Sequence, residues 1–394
     1  MHIDLRFWID CAVWGMALAW LVRIGTALRM LPGVPDLGKE STEDSAAGTV
    51  CVIVPARNEE KSIEATLRML LAVEGVAVEI LAVDDRSEDG TGAIMEQVAV
   101  EARAQGKNLR VMHVDALPAG WMGKTHAMAL AARQTQADWL LFTDADVLFS
   151  ADSVRRAMVF GEKARAEHIV LYPTVVVKSF GERMMISFFM ALSVWGARPW
   201  RIADDRAKRD SIGVGAFNLV RREVYEAIGG FEALRMEVLE DLQLGRSVKA
   251  AGYRQRVAFG KDMVRVRWAE GAAGVVRNLT KNAFALASFR PLVLLAICGA
   301  VLALGLLPLL GLLGGIAGWL ATAAMFVSIA LLYAAYRRQT GIAWGYVLVF
   351  PLAACVFAFA MLRSMVLALM QGGVVWRGTL YPLAELRRHA RPLW

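Results

Sequence analysis

The sequence predicts an α/β domain with a mostly parallel, Rossmann-like sheet and transmembrane helices on both sides of it. Three observations support this prediction. Short apolar runs alternate with segments of helical spacing between residues 49 and 290, acidic residues follow several of those runs, and long apolar segments occupy residues 1–31 and 291–371. Alternating strands and helices form mostly parallel sheets, which bind ligands at the carboxyl ends of their strands.

The composition indicates a membrane protein with one soluble domain. The chain has 394 residues, of which 57% are hydrophobic, above the level of about 45–50% in soluble proteins. Its net charge is +7, but the basic residues form no stripe with interleaved aromatic residues, so we expect no nucleic-acid partner. The four cysteines form no close pair, which argues against a disulfide framework or a zinc site and favours a reducing compartment.

Residues 1–31 are expected to form an N-terminal transmembrane helix, because the stretch from Phe7 to Leu31 is largely apolar and about the length of one span. A cleaved signal peptide is the alternative, and the several Trp residues and the lack of a small-residue cleavage site argue against it. Residues 32–48 contain Pro, Gly, Ser and acidic residues, a composition typical of a linker.

From Thr49 the pattern becomes that of an α/β domain. The run Val50–Pro55 is continuously apolar, as expected for a strand covered on both faces. The pattern then predicts, in order, a helix over 59–71, a strand over 76–83, a helix over 91–104, a strand over 109–114, a helix over 124–135, a strand over 139–143 and a helix over 240–251.

Residues 182–200 are apolar nearly all round and too short to span a membrane comfortably. A buried core helix and an interfacial helix that brings the site to the bilayer both fit this pattern.

Three apolar segments follow the α/β domain. Pro291–Leu313 and Ile316–Tyr336 are strong span candidates, and Tyr346–Met370 is a third that contains Pro351 and Arg363. Three full spans would place the C-terminus and the α/β domain on opposite sides of the membrane. We therefore expect the last segment to be re-entrant or broken, or the count of spans to be wrong by one.

Residues 372–394 form a basic tail after the last apolar segment. From Trp376 onward it carries Arg377, Arg387, Arg388 and Arg391 against a single Glu385. Basic residues next to a span attract anionic lipid, so we expect this tail to lie at the membrane surface.

Two loops after predicted strands contain candidate nucleotide-binding residues. The first runs from Pro55 to Glu60 and contains Asn58 and Glu59, which can contact a base and ribose. A helix start capped by Asn58 is the equally simple interpretation. In the second, Asp84 and Asp85 end a strand and can accept hydrogen bonds from a base or ribose, although an ordinary strand-to-helix loop fits as well.

Two further motifs suit a diphosphate. Lys124 follows Gly120-Trp121-Met122-Gly123 at a helix start, where a lysine can neutralise phosphate, although it can equally be solvated. The spacing is not that of a Walker loop. Asp144 and Asp146 come directly after an apolar strand, and two such carboxylates suit Mg²⁺ or Mn²⁺ bound together with substrate phosphates.

Later in the chain, the glycines of Gly213-Val214-Gly215 either form turns or let backbone approach a substrate. Glu240 and Asp241 open a predicted helix. A carboxylate at that position can act as general base toward an acceptor hydroxyl, whereas the alternative is simple stabilisation of the helix dipole.

In this order, the motifs resemble family 2 glycosyltransferases of the GT-A fold over about Val50–Phe289. The resemblance implies that Asp84 and Asp85 contact the nucleotide with Pro55, Asn58 and Glu59 near it. It also implies roles for five residues of the reaction centre: Asp144 and Asp146 bind metal and diphosphate, Asp241 is the catalytic base beside Glu240, and Lys124 matches the family's Gly-Lys step.

Within that family, Gly120-Trp121-x-Gly123-Lys124 and the tail Trp376-Arg377-Gly378-Thr379-x-Tyr381 look most like hopanoid-associated and carotenoid glycosyltransferases, and ceramide glucosyltransferases look more distant. The Gln/Arg-x-x-Arg-Trp motif of ceramide glucosyltransferases and polysaccharide synthases is absent from the sequence. Arg277 and Lys281 stand at about its place and are candidates to clamp the diphosphate.

The resemblance implies an inverting, metal-dependent transfer of one sugar from a nucleotide-sugar, expected to be a UDP-sugar, to a hydroxyl of a membrane lipid such as a hopanoid, carotenoid or sphingolipid-like molecule. The expected location is the bacterial inner membrane, with the catalytic domain cytoplasmic. A processive polysaccharide synthase and a non-catalytic membrane scaffold are the alternatives.

Overall fold

The structure, a computed structural model, describes residues 5–39, 44 and 46–392. The rest of the expected first helix, linker and tail lies outside the described residues. The chain forms two compact units. The α/β unit comprises Val34–Val176, Pro199–Arg267 and Trp376–Trp394, and the helical unit comprises Met1–Gly33, Val177–Arg198 and Trp268–Val375.

The strands lie mainly in the middle of the chain. They are β1 (Thr49–Ala56), β2 (Ala77–Asp85), β3 (Leu109–Val114), β4 (Trp139–Phe142), β5 (Val147–Phe149), β6 (His168–Val175), β7 (Asn218–Arg221), β8 (Gln255–Val266), β9 (Gly373–Trp376) and β10 (Thr379–Pro382).

The helices are of two kinds, short ones that cover the sheet and long apolar ones. In chain order they are α1 (Leu5–Met30), α2 (Ile63–Leu71), α3 (Thr91–Ala104), α4 (Gly123–Ala132), α5 (Ser153–Lys163), α6 (Phe180–Gly196), α7 (Arg222–Ala227), α8 (Glu240–Ala250), α9 (Gly271–Leu286), α10 (Pro291–Leu306), α11 (Ile316–Thr340), α12 (Phe350–Met370) and α13 (Leu383–His389).

The main sheet has eight strands within the described ranges, in the order β3-β2-β1-β4-β7-β6-β8-β5. Strands β1 to β4 are mutually parallel where they pair, whereas β7 runs antiparallel to both of its neighbours. Along β1, Val52 and Val54 pack into one apolar cluster and Cys51 and Ile53 into another. Both faces of this strand are therefore buried, which explains its continuous apolar run and confirms the predicted α/β class.

Two sequence predictions differ from the structure near the first strand. Helix α2 begins at Ile63 and not at residue 59, and Ser62, not Asn58, is the residue before it. The Asn58 side chain instead accepts a hydrogen bond from the backbone of Glu88 at 2.8 Å. Asn58 therefore connects two loops, and the helix-cap interpretation of this residue is wrong.

The described part of the expected linker is bound to the sheet. Leu37 N donates to Phe259 O at 3.0 Å, and Phe259 N donates to Pro35 O at 2.8 Å. Leu37 itself is buried in the core. This stretch therefore extends the α/β unit, and its composition had indicated only a connecting role.

The helical unit contains the long apolar helices. Four segments of the described chain are long and apolar enough to cross a membrane: Arg6–Gly33, Pro291–Leu313, Ile316–Arg337 and Trp344–Met370. Helix α6, which begins two residues before the expected segment 182–200 and ends at Gly196, belongs to this unit and buries Phe188 against α12.

The last apolar helix runs antiparallel to α10. Gly305 lies against Ala354, and Cys298 Sγ is 3.9 Å from Ala358 O. At the start of α12, the Phe350 ring centroid is 5.5 Å from that of Trp20, in the middle of α1. The start of α11, by contrast, lies beside Asp10, close to the first turn of α1.

Candidate active site

Three elements meet where β4 ends. Asp144 follows β4, Lys124 is the second residue of α4, and Glu240 is the first residue of α8. Lys124 Nζ lies 2.5 Å from Asp144 Oδ1 and 2.5 Å from Glu240 Oε1. The ammonium group therefore bridges two carboxylates at the carboxyl edge of the sheet, where ligands bind in this class of fold.

The Asp241 carboxylate is held in a fixed orientation. Gly215 N donates to its Oδ2 at 2.9 Å, and Leu242 N, in the first turn of α8, donates to its Oδ1 at 2.7 Å. A carboxylate at a helix N-terminus is further stabilised by the helix dipole. Asp241 is therefore oriented at the same cleft as Lys124, where both residues line a small pocket.

The glycines at 213 and 215 are required by close packing. A Cβ on Gly213 would lie 1.7 Å from Asp241 O, and a Cβ on Gly215 would lie 2.5 Å from Asp144 Oδ2. Neither residue has a positive φ. The groups that approach these glycines are the protein's own carboxylate and backbone, so approach to a substrate stays a prediction.

Charges in the cleft shift two pKa values. Burial alone would lower the pKa of Lys124, but the carboxylates of Asp144 and Glu240 outweigh it and hold that pKa well above its ordinary value. Burial and then the charge of Glu240 raise the pKa of Asp241 to about 6, while Lys124 opposes the rise. Asp241 is consequently more basic than an ordinary aspartate, which suits a general base.

Asp146 follows Asp144 by two residues and remains a candidate metal ligand. Desolvation in the cleft, together with the charges of Asp144 and Glu59, raises the pKa of Asp146 to about 7. Carboxylate oxygens under mutual repulsion suit a hard divalent cation. Across the residues that the structure describes, no cluster of three or more His, Cys, Asp or Glu side chains is placed to hold a metal. The two carboxylates of Asp144 and Asp146 suit an ion such as Mg²⁺, which usually takes its remaining ligands from substrate phosphates and water.

The two expected nucleotide loops lie side by side. Pro55 pairs with Val83 in the β1–β2 register, so the two loops begin at the same level. The Asp84 carboxylate accepts from Ser87 N at 3.2 Å and lies 3.1 Å from His113 Nδ1. Asp85 forms a bidentate pair with Arg86. Asp84 thus also stabilises its own loop.

A buried polar network contacts the start of α8. The sequence pattern did not predict this network. Asn218 Nδ2 donates to Asp241 O at 3.4 Å, and Asn218 Oδ1 contacts the His168 ring. The other ring nitrogen lies 2.7 Å from Gln255 Nε2. Burial lowers the pKa of His168 to about 4, so this ring is neutral. These residues lie on β7, β6 and β8, strands that the sequence analysis did not predict.

The basic tail also contacts this region. Tyr381 Oη accepts from Gly123 N at 3.1 Å, and Arg377 pairs with Glu59. The tail had been expected at a lipid surface, and the structure places these two residues on the α/β unit. Arg277 and Lys281 lie on α9 of the helical unit, and their role at the diphosphate stays a prediction.

Comparison with known proteins agrees with this architecture. Residues 51–229 match the model of Glycosyl transferase family 2, a match that ends before Glu240 and Asp241. A 4,4'-diaponeurosporenoate glycosyltransferase of Staphylococcus aureus (strain MRSA252) is 27% identical over 234 residues, which are 59% of this chain and 60% of that protein. Its counterpart in Staphylococcus haemolyticus is 26% identical over 61% of this chain and 62% of that protein. The chain thus spans about 60% of the length of the curated relatives it matches.

Among solved structures, the mannosyltransferase PcManGT from Pyrobaculum calidifontis, in complex with GDP-Man and Mn²⁺, superposes with a TM-score of 0.52. It is 17% identical, and the alignment covers 90% of this chain and 99% of that one. At this identity the likeness concerns the fold. Residues 51–229 are therefore similar to Glycosyl transferase family 2, and the fold is GT-A-like.

Proposed function

We propose that this protein is an inverting, metal-dependent glycosyltransferase that moves a single sugar from a nucleotide-sugar to a membrane lipid. One observation carries the proposal above all others: Asp241, with a raised pKa, is fixed by Gly215 N in the cleft where Lys124 bridges Asp144 and Glu240. A general base and a cation for phosphate thus lie together at the carboxyl edge of the sheet.

Each residue then has a role in a single displacement. Asp241 accepts the proton of the acceptor as its oxygen attacks the anomeric carbon, and the departing nucleoside diphosphate leaves from the opposite face. Lys124 stabilises the negative charge that develops on that diphosphate. A divalent cation at Asp146 and Asp144 would supply Lewis-acid stabilisation of the same group.

The fold neighbour supports a nucleotide-sugar donor and a divalent cation, since that mannosyltransferase was solved with GDP-Man and Mn²⁺. We propose a UDP-sugar as donor from the family resemblance. Because the neighbour contains a guanine nucleotide, the test must include both nucleotide classes.

The relatives and the long apolar helices support a lipid acceptor. The relatives are named for 4,4'-diaponeurosporenoate, whose suffix "-oate" denotes a carboxylate, whereas the acceptor group that we propose is a hydroxyl. A hydroxyl needs a base to remove its proton at neutral pH, and a carboxylate does not. The raised pKa of Asp241 supports the hydroxyl.

We further propose that the protein lies in a bacterial inner membrane with the α/β unit in the cytoplasm. Its four cysteines are free thiols in the part of the chain that the structure describes, which suits a reducing compartment.

The test is transfer by the purified full chain in detergent, with radiolabelled UDP-glucose, UDP-N-acetylglucosamine and GDP-mannose as donors and bacterial lipid extract as acceptor. We expect one labelled lipid carrying one sugar, and loss of transfer in excess EDTA that Mn²⁺ restores. Undiminished transfer in EDTA would contradict metal dependence. A ladder of products would indicate a processive synthase, and absence of nucleotide binding by calorimetry would indicate a scaffold.

A further inference from the structure

The chain returns to the α/β unit after its last apolar helix. This stretch, residues 376–392, is called the C-terminal segment below. Arg377 donates to the backbone oxygens of Arg57 and Asn58 and pairs with the carboxylate of Glu59. Thr379 Oγ1 accepts from Arg57 Nη1 at 3.3 Å. Three consecutive residues of the loop after β1 are therefore bound by the segment.

This loop has a backbone conformation that needs support. Asn58 has a φ of 55°, in the left-handed region that residues with a Cβ adopt uncommonly. From the side of β2, Ser87 Oγ accepts from Asn58 N at 3.0 Å and Thr91 Oγ1 accepts from Glu59 N at 2.7 Å. Arg377 supplies the matching contacts to the carbonyl oxygens, so the loop is fixed through both its donors and its acceptors.

A second contact of the segment fixes the start of α4. The Tyr381 side chain is buried, and its hydroxyl accepts from Gly123 N at 3.1 Å. Gly123 is the first residue of α4 and Lys124 the second. A helix's first N–H groups lack partners inside the helix. Tyr381 therefore satisfies one of them directly beside the lysine that bridges Asp144 and Glu240.

The last residues of the C-terminal segment bind next to the start of α8. Arg391 N donates to Glu237 Oε1 at 3.1 Å, and Gln243 Nε2 donates to Arg391 O at 2.7 Å. Glu237 and Gln243 lie on either side of Glu240 and Asp241 in the chain. The segment thus extends from the loop after β1 to the start of α8.

We propose that Arg377 and Tyr381 are positioning residues of the nucleotide-sugar site: Arg377 sets the loop of Arg57–Glu59, and Tyr381 sets the first turn of α4. The inference rests on the proposed function for the identity of the ligand. Neither residue is assigned contact with the reacting atoms. Loss of either one should weaken donor binding and leave the chemical step largely intact.

The test uses the full chain with Arg377→Gln and Tyr381→Phe, which remove the contacts and keep side chains of similar size. Arg388→Gln is the matched control, because Arg388 is exposed on the same segment and carries the same charge. We expect the Kd for UDP or GDP with Mn²⁺, and the KM for the donor, to rise about tenfold in the two variants. We expect kcat to change less than about threefold, since an interaction lost equally from ground and transition states acts on KM.

Hydrogen–deuterium exchange without any ligand separates this proposal from the proposed function. Amides of residues 57–60 should exchange faster in Arg377→Gln, and those of residues 123–126 should exchange faster in Tyr381→Phe. Exchange and nucleotide affinity equal to wild type in both variants would overturn the inference, as would equal effects in Arg388→Gln. If the wild-type chain binds neither nucleotide, the proposed function fails. The exchange result still decides whether the C-terminal segment orders the loop of residues 57–60 and the first turn of α4.

Discussion

Lys124 and Glu240 form an ion pair of 2.5 Å that joins the first turn of α4 to the first turn of α8. The two residues are far apart in the sequence, and both belong to helices whose N-termini point to the same cleft. A single ammonium group thus connects Asp144, after β4, to the helix start that carries Asp241.

Replacing Lys124 should impair catalysis strongly. Lys124→Met removes the positively charged side chain that we assign to stabilise the leaving diphosphate. We therefore expect kcat to fall by about 10²–10³. Steady-state transfer assays measure this effect. Lys61→Met, at an exposed lysine of the same unit, should be close to wild type. Thermal unfolding of both variants tests whether lost activity comes from lost folding.

Replacing Asp241 should remove general-base catalysis and leave donor binding. For Asp241→Asn we expect kcat to fall by about 10²–10⁴, with UDP or GDP affinity near that of wild type, because an amide can still accept from Gly215 N. Turnover at the wild-type rate would rule out Asp241 as the base. An acceptor that reacts through a carboxylate needs no base, so Asp241→Asn would then also turn over at the wild-type rate. The assay should therefore be repeated with the identified lipid.

The rate should depend on pH through the same residue. Burial and the charge of Glu240 raise the pKa of Asp241 to about 6, and the base acts in its deprotonated form. The kcat/KM of wild type should therefore fall about tenfold per pH unit below pH 6 and level off above it. The residual rate of Asp241→Asn should lack this limb of the profile. A flat wild-type profile between pH 5 and 7 would contradict the assignment.

Asp146 should matter for the cation and not for folding. Its pKa is raised by desolvation and by the charges of Asp144 and Glu59, so the ionised form is disfavoured in the folded protein. Asp146→Asn should weaken Mn²⁺ binding in the presence of nucleotide by about tenfold or more, which calorimetry can measure. At pH 8 without metal, the melting temperature should stay equal or rise, because a repulsive charge has been removed. A lower melting temperature would indicate a structural role.

Buried His168 should make the protein sensitive to acid. Burial lowers the pKa of His168 from 6.5 to about 4, so the unfolded chain binds more protons than the folded chain between these values. The free energy of unfolding should therefore fall as pH decreases from 6.5 toward 4, by up to about 3 kcal/mol. Chemical denaturation at several pH values measures the slope, and His168→Gln should reduce it. An unchanged slope in that variant would assign the effect to other groups.

The sequence was sufficient for the first half of the sheet and for the acidic site residues. Strands β1 and β4 are buried on both faces apart from Thr49, and β1 to β4 are separated by helices, a pattern that identifies parallel strands locally. Asp144 was recognisable because it follows an apolar strand, and Asp241 because it lies at the start of a predicted helix. Strands β5 to β8 were not predicted. Strands β5 and β7 have only three and four residues, and all four strands pair with partners that are distant in the chain.

Contacts between distant segments were equally beyond the sequence pattern. The Lys124–Glu240 pair, the His168 network and the contacts of Arg377 all join residues brought together only by the tertiary fold. The tail had a composition typical of a lipid-facing segment. Its arginines alone could not show that Arg377 has backbone carbonyls and Glu59 as partners.

The bonds of the C-terminal segment also constrain membrane topology. Because Arg377, Tyr381 and Arg391 bind the α/β unit, the C-terminus and that unit should lie on the same face of a bilayer. Gln105 of the α/β unit and Ala384 of the C-terminal segment are both exposed. Single cysteines at these two positions, in a chain with its four native cysteines replaced, should react equally with an impermeant maleimide in oriented vesicles. Labelling of only one of them would contradict this arrangement.

A chain that leaves one face of a bilayer and comes back to it crosses an even number of times. Three apolar segments of the described chain separate Arg267 from Trp376, so we expect one of them to turn back inside the membrane. The position of Phe350 beside Trp20, at the middle of α1, favours the segment 344–370, and its re-entrant course stays a prediction.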